Sequence, residues 1–155
     1  MMTHRLWFAL ALTSIPVVLV ATAKEPAAQQ SADEQAVRAV VDKYFRGVTN
    51  ADRALLEEAW HVPGAQMEFV KSLGQPEPKF EAVPIDVAME WWTQVKAKSS
   101  SGKILSIDIV EGEMAVVKFD FHFEHMHYVD YLTLLKLKEG WRLVNKSFVR
   151  IMPKR

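Results

Sequence analysis

The sequence predicts an α+β fold, with three helices laid on one face of a curved antiparallel sheet. Three observations carry this. Apolar residues recur at a spacing near four as far as Trp92, and at a spacing of two from Lys103 onward. The turn stretches "EGE" and "KEG" cut that second part into long strands. There is no cysteine among 155 residues, and half the chain is hydrophobic, so one domain must rest on its apolar core.

The elements follow in order. "MMTHR" is a short basic stretch, "LWFALALTSIPVVLV" is apolar, and "ATA" before Lys24 has small residues at the spacing of a signal-peptidase site. Thr13, Ser14 and Pro16 interrupt the apolar stretch, which is shorter than the ~20 residues a membrane span needs. Residues 1–23 therefore read as a signal peptide. The mature protein is then exported, periplasmic or extracellular, with no stable membrane insertion. Residues 24–33, small and polar, read as a flexible tether. The domain follows over residues 34–152.

Ser31 and Glu34 have the spacing of a capping box. Behind them Val37, Val40, Val41, Tyr44, Phe45 and Val48 recur at helical spacing. Asp52 caps a second, shorter helix carrying Leu55, Leu56, Ala59 and Trp60. Pro63 and Gly64 break it, "QMEFV" reads as a short strand, and "KSLGQPEPKFEAV" reads as a loop. Pro84 suits the first turn of a third helix, whose apolar face is Ile85, Ala88, Met89, Trp92 and Val95. Four long strands complete the chain. The first alternates Leu105, Ile107 and Ile109 against Ser106 and Asp108. The second places Ala115, Val117, Phe119, Phe121 and Phe123 on one face. The third sets Tyr128, Asp130, Leu132 and Leu134 against Val129, Tyr131, Thr133 and Leu135. In the last strand Lys146 alternates with Val144 and Phe148.

Nineteen basic residues balance nineteen acidic ones. No basic patch calls for nucleic acid or an anionic membrane surface.

"YF" and "NAD" in the first helix region, "HVPGA" after the second helix, "DYLTLLK" and "GWRLVNKSF" carry a resemblance. The chain resembles the lumazine-binding and SnoaL-like families of the nuclear-transport-factor-2-like superfamily, over about Glu34 to Met152. One departure is Val62, which separates His61 from Pro63 where the family shows His-Pro-Asp-Ala. The resemblance implies a cystatin-like cone of sheet closed by helices, and a homodimer through the sheet's outer face. It implies no activity, because the fold hosts enzymes, binding modules and assembly domains. Ketosteroid isomerase shares the superfamily, and there a protonated aspartate and a tyrosine form the oxyanion hole. Tyr44 and Asp130 fall near those two positions. The isomerase's base falls near Glu68 or Phe69, and Phe69 cannot abstract a proton.

His61, at a chain reversal, is the alternative base, since a neutral imidazole accepts protons near pH 7. The plainer reading makes His61 and Asp130 hydrogen-bonded groups at the helix–sheet junction. Lys146 either pairs with Asp130 or Glu68 across the sheet or sits at an exposed edge. Trp92 fits the core stripe of its helix, and Trp91 points elsewhere, to a pocket wall or a dimer contact. Phe119 and Phe121 make the interior aromatic, so a pocket there prefers a flat apolar ligand.

His122, His125 and His127 invite a metal reading, which needs three or four converging ligands. His122 is placed to meet His127 across a hairpin, with Glu124 as a possible carboxylate. Their spacing matches no tight metal motif, so a solvated hairpin tip is the preferred reading and no metal is expected. Three function classes stand. The first is an exported binder of a small apolar or heterocyclic molecule. The second is a cofactor-independent isomerase, dehydratase or cyclase, using His61 as base with Tyr44 and Asp130 stabilising charge. The third is a dimeric assembly domain.

Overall fold

The computed structural model describes residues 25–71 and 79–151. The expected signal peptide lies outside the described residues. Three helices, α1 (Glu25–Asn50), α2 (Arg53–Ala59) and α3 (Ile85–Trp92), cover one face of a six-stranded sheet. The strands are β1 (Gln66–Lys71), β2 (Lys79–Pro84), β3 (Ser100–Val110), β4 (Met114–Phe123), β5 (Met126–Leu137) and β6 (Gly140–Ile151). Their spatial order is β2-β1-β6-β5-β4-β3.

The stripe on α1 packs as its spacing requires. Val37, Val41, Tyr44 and Val48 are buried against Ala115, Val117, Phe119 and Phe121 of β4 and Leu132 and Leu134 of β5. Helix α2 crosses α1 at Gly47, where a Cβ would lie 2.7 Å from Leu56 Cγ. Asp52 caps α2 by accepting from the Leu55 N–H at 3.1 Å. Ile85, Ala88 and Met89 close the core from α3.

The structure corrects five expectations. The tether expected over 24–33 is helical from Glu25, so Ser31 and Glu34 lie inside α1 and not at its start. Ala27, Ala28, Gln29 and Gln30 are favourable helix formers. One turn on, Asp33 is buried, and it draws the segment down by accepting from Lys136, Trp141 and Gln29. The loop expected after β1 yields strand β2, which pairs antiparallel with β1. Lys79 to Ala82 alternates over only four residues after two prolines and a glycine, and pairing with β1 makes the strand.

The third correction is that the sheet is not wholly antiparallel, because β1 runs parallel to β6. The fourth and fifth are bulges. On β3 the register shifts between Ile104 and Ser106, so Ile104 packs inward and Leu105 is exposed. On β6, Leu134 pairs with Leu143 and Thr133 with Asn145, which leaves Val144 as the extra residue. The inward set is then Trp141 and Leu143, followed by Lys146 and Phe148, without Val144. A bulge of this kind reverses the facing of every residue beyond it.

Candidate functional site

Beyond the β6 bulge the helices and sheet part to leave a cavity of about 330 Å³. Its walls are aromatic. Phe69 of β1 stacks on Phe148 of β6 at 5.1 Å, a meeting that the parallel β1–β6 pairing produces. Phe121 and Phe123 of β4 and Met126 and Tyr128 of β5 form the adjoining wall. Trp92 closes the helix side, 5.6 Å from the Tyr44 ring. Trp91, Gln94 and Val95 stand at the lip, where Trp91 and Val95 are exposed.

The floor of the cavity is polar. Lys146 Nζ donates to Asp130 Oδ2 in a short contact and to the Tyr44 hydroxyl at 2.8 Å. Tyr44 in turn donates to the same Oδ2 at 3.1 Å. Three elements meet here, since Tyr44 is on α1, Asp130 on β5 and Lys146 on β6. The carboxylate is fully buried and the lysine side chain is 5% exposed. A charge this far from water needs a partner, and each supplies the other's. Asp130 Oδ1 is buried and meets no donor among the described residues, so the carboxylate is held through Oδ2.

Lys146 also sits 4.8 Å from the Phe148 ring centre and 5.4 Å from that of Tyr44, cushioned by π-faces. Burial pulls the lysine below its ordinary range, opposed by the charge and hydrogen bond of Asp130. Burial first, then the Asp130 charge, pushes the Tyr44 phenol well above its ordinary value, so it stays a protonated donor. An ammonium carries three donors. Two are engaged by Asp130 and Tyr44, and the lysine lines the cavity.

Of the residues singled out from sequence, Tyr44, Trp91, Trp92, Phe121 and Lys146 line this cavity, and Asp130 lies directly beneath it. Two do not. Phe119 packs behind Tyr44 against Phe45, on a separate groove with Gly102 and Ile104. His61 lies off the cavity lining, its Nδ1 3.7 Å from Glu139 Oε1 and its backbone N–H bonded to Leu143 O. The chain reversal at His61 bridges Trp60 to Leu143. Glu68 faces outward, within 3.5 Å of Ser147 Oγ, while Phe69 faces in. The sequence reading missed Met67, Phe69, Met126, Tyr128 and Phe148 as lining residues. Period-two facing on β1 and β5 could have signalled Met67, Phe69, Met126 and Tyr128, and on β6 the bulge hides it for Phe148.

The histidines divide. His125 is exposed at the turn, as a solvated tip requires. His122 and His127 face each other across β4–β5 as expected, but the carboxylate beside them is Asp120. Glu124 instead accepts from the Lys98 N–H at 2.5 Å.

The family profile described as "Putative lumazine-binding" matches residues 32–149. The chain belongs to this lumazine-binding family. Solved structures share its fold. A nuclear-transport-factor-2-like protein of unknown function from Shewanella baltica is 23% identical, with 79% of this chain and 96% of that one covered at a TM-score of 0.69. One from Silicibacter pomeroyi is also 23% identical, covering 79% and 98% at a TM-score of 0.65. A cystatin-like fold protein from Burkholderia xenovorans is 18% identical, covering 81% and 97% at a TM-score of 0.60. No curated protein matches the chain. The chain thus shares the α+β fold of these nuclear-transport-factor-2-like structures, with its aromatic cavity between the helices and the sheet.

Proposed function

We propose that this protein is an exported binding module for a small, flat, largely apolar molecule that presents a hydrogen-bond acceptor. The observation that carries the reading is a cavity of about 330 Å³ whose walls are aromatic and whose floor offers an ammonium. Such a site rewards a planar ring with stacking, and orients it through one polar contact. A heterocycle with ring carbonyls, the class to which lumazine belongs, has both properties. The cavity volume sits at the small end of the range of ligand pockets, roughly 300–1,000 Å³.

The catalytic alternative has less support. Its base, His61, lies off the cavity, and the lining includes no carboxylate or imidazole among the described residues. Tyr44 and Lys146 also both donate to Asp130 Oδ2, whereas the aspartate of the isomerase pattern is itself a donor. For the mature protein we further propose a homodimer through the outer sheet face. Exposed Tyr131, Leu135, Val149 and Ile151 support it. Sedimentation velocity at micromolar concentration is the check; monomer alone would remove it.

The binding reading is tested with 8-anilinonaphthalene-1-sulfonate, a flat apolar probe with an anionic group, in untagged protein. The expected result is saturable one-to-one binding that quenches tryptophan fluorescence. Trp91→Asp, at the exposed lip, should weaken it at least about tenfold without unfolding the protein, and His61→Ala should leave it unchanged. Native mass spectrometry of the same sample reports any co-purified organic molecule. Probe binding indifferent to Trp91→Asp would refute a ligand cavity at this place.

A further inference from the structure

We propose that Asp120, His122 and His127 form a binding site for one borderline divalent cation, with Zn²⁺ as the best fit, on the outer face of the β4–β5 hairpin. The site is separate from the cavity and does not depend on the reading given for it. Among the described residues, this is the place where three metal-type side chains converge. Their ligand atoms all lie within 4.8 Å of one another.

The register explains the convergence. His122 pairs directly with His127, and Asp120 lies two residues before His122 on the same face of β4. The rings stack at 4.1 Å and 11°. Asp120 Oδ1 lies 2.5 Å from His127 Nε2 and 3.6 Å from His122 Nε2. Around a tetrahedral zinc, bonds of 2.0–2.1 Å place donor atoms about 3.3 Å apart. The observed separations bracket that value. The seat needs the Asp120–His127 contact to open by less than an ångström and the two rings to tilt toward each other. The side chains can do this, since each is between 28% and 47% exposed and stands on a paired strand that fixes its base.

The donor set selects the ion. Two imidazoles and one carboxylate suit zinc, cobalt, nickel or copper, whereas calcium and magnesium require oxygen ligands throughout. Three protein ligands leave a position open to water, and the half-exposed site faces solvent. Lys103 stands opposite Asp120 in the β3–β4 register, and a cationic residue on the same face argues for moderate affinity. A bound ion would tie β4 to β5 next to the turn at Glu124–His125. The inward faces of those same strand ends carry Phe121, Phe123 and Tyr128 of the cavity wall. The ion would therefore brace that wall from outside.

The test uses the untagged protein, stripped with chelator and dialysed against micromolar zinc chloride. One zinc per chain is expected. Cobalt chloride should give an intense visible band, the signature of four- or five-coordination. His122→Ala and Asp120→Asn should each weaken zinc binding about tenfold or more and abolish the cobalt band, whereas His125→Ala should keep both. His127→Gln serves as a second variant that retains the hydrogen-bonding shape, and far-ultraviolet circular dichroism confirms that each variant is folded. No retained zinc in the wild-type protein would overturn the proposal. So would zinc binding that survives His122→Ala and Asp120→Asn.

Discussion

Two acid–lysine pairs tie α1 to the same two strands, and they differ in what surrounds them. At one end of the sheet Asp33 accepts from Lys136 of β5 at 2.7 Å and from Trp141 of β6 at 3.0 Å. At the cavity, Tyr44 of α1 meets Asp130 of β5 and Lys146 of β6. Lys136 is 39% exposed, whereas Lys146 is 5% exposed. Water therefore shares the first lysine, and its carboxylate alone is sequestered. In the second pair both charges have left water, and each finds its partners in the other and in Tyr44. The first is an anchor for the start of α1. The second is a polar spot fixed in an apolar chamber, which is the arrangement a ligand with one acceptor group would find.

The largest effect should come from splitting the buried pair. Asp130→Asn leaves Lys146 without a counter-charge in the core, a loss of about 3–5 kcal/mol by urea unfolding. Asp130→Leu combined with Lys146→Met should recover most of that stability, because two apolar residues can replace a buried ion pair. A double variant no more stable than Asp130→Asn would show that the floor is held by something other than charge pairing.

A smaller effect is expected at the anchor. Asp33→Asn keeps an acceptor for Trp141 but loses the charge, at a cost of about 1–3 kcal/mol. The hydrogen bond from Lys136, then those from Trp141 and Gln29, lower the Asp33 carboxyl from 3.8 to about 2. A carboxyl lowered on folding stabilises the protein above its unfolded value and loses that contribution as the pH falls through its folded value. Wild-type stability should therefore drop between about pH 4 and pH 2 relative to Asp33→Asn, and the two curves should approach each other at the acid end. Parallel curves across that window would remove Asp33 from the account.

The smallest effect is expected for Lys136→Met, at most about 1 kcal/mol, because a half-exposed ion pair contributes little and the methionine keeps the contact with Trp141. A loss as large as that of Asp130→Asn would erase the distinction between the two pairs.

Much of this was legible in the sequence. The stripe from Val37 to Val48, the facing of Ala115 to Phe123 and the facing of Tyr128 to Leu134 all follow from local period, and the structure places them so. Tyr44, Trp92 and Phe121 could be named for the same reason. Asp33 could not, because nothing in "AAQQSAD" shows that Trp141 and Lys136 wait across the core. His61 misled because a chain reversal shows only that the chain turns, and this one turns toward Leu143 and Glu139.

By itself, then, the sequence determined the α+β class, the helix stripes and the alternating faces of β4 and β5. Each is a periodicity that one segment carries alone. The tertiary structure decided that Lys146 turns inward onto Asp130, that Phe69 stacks on Phe148, and that Asp120 joins His122 and His127. The first follows from a bulge and the second from a parallel pairing. The third follows from the register of a hairpin. All three are relations between two strands, and no single segment's pattern contains them.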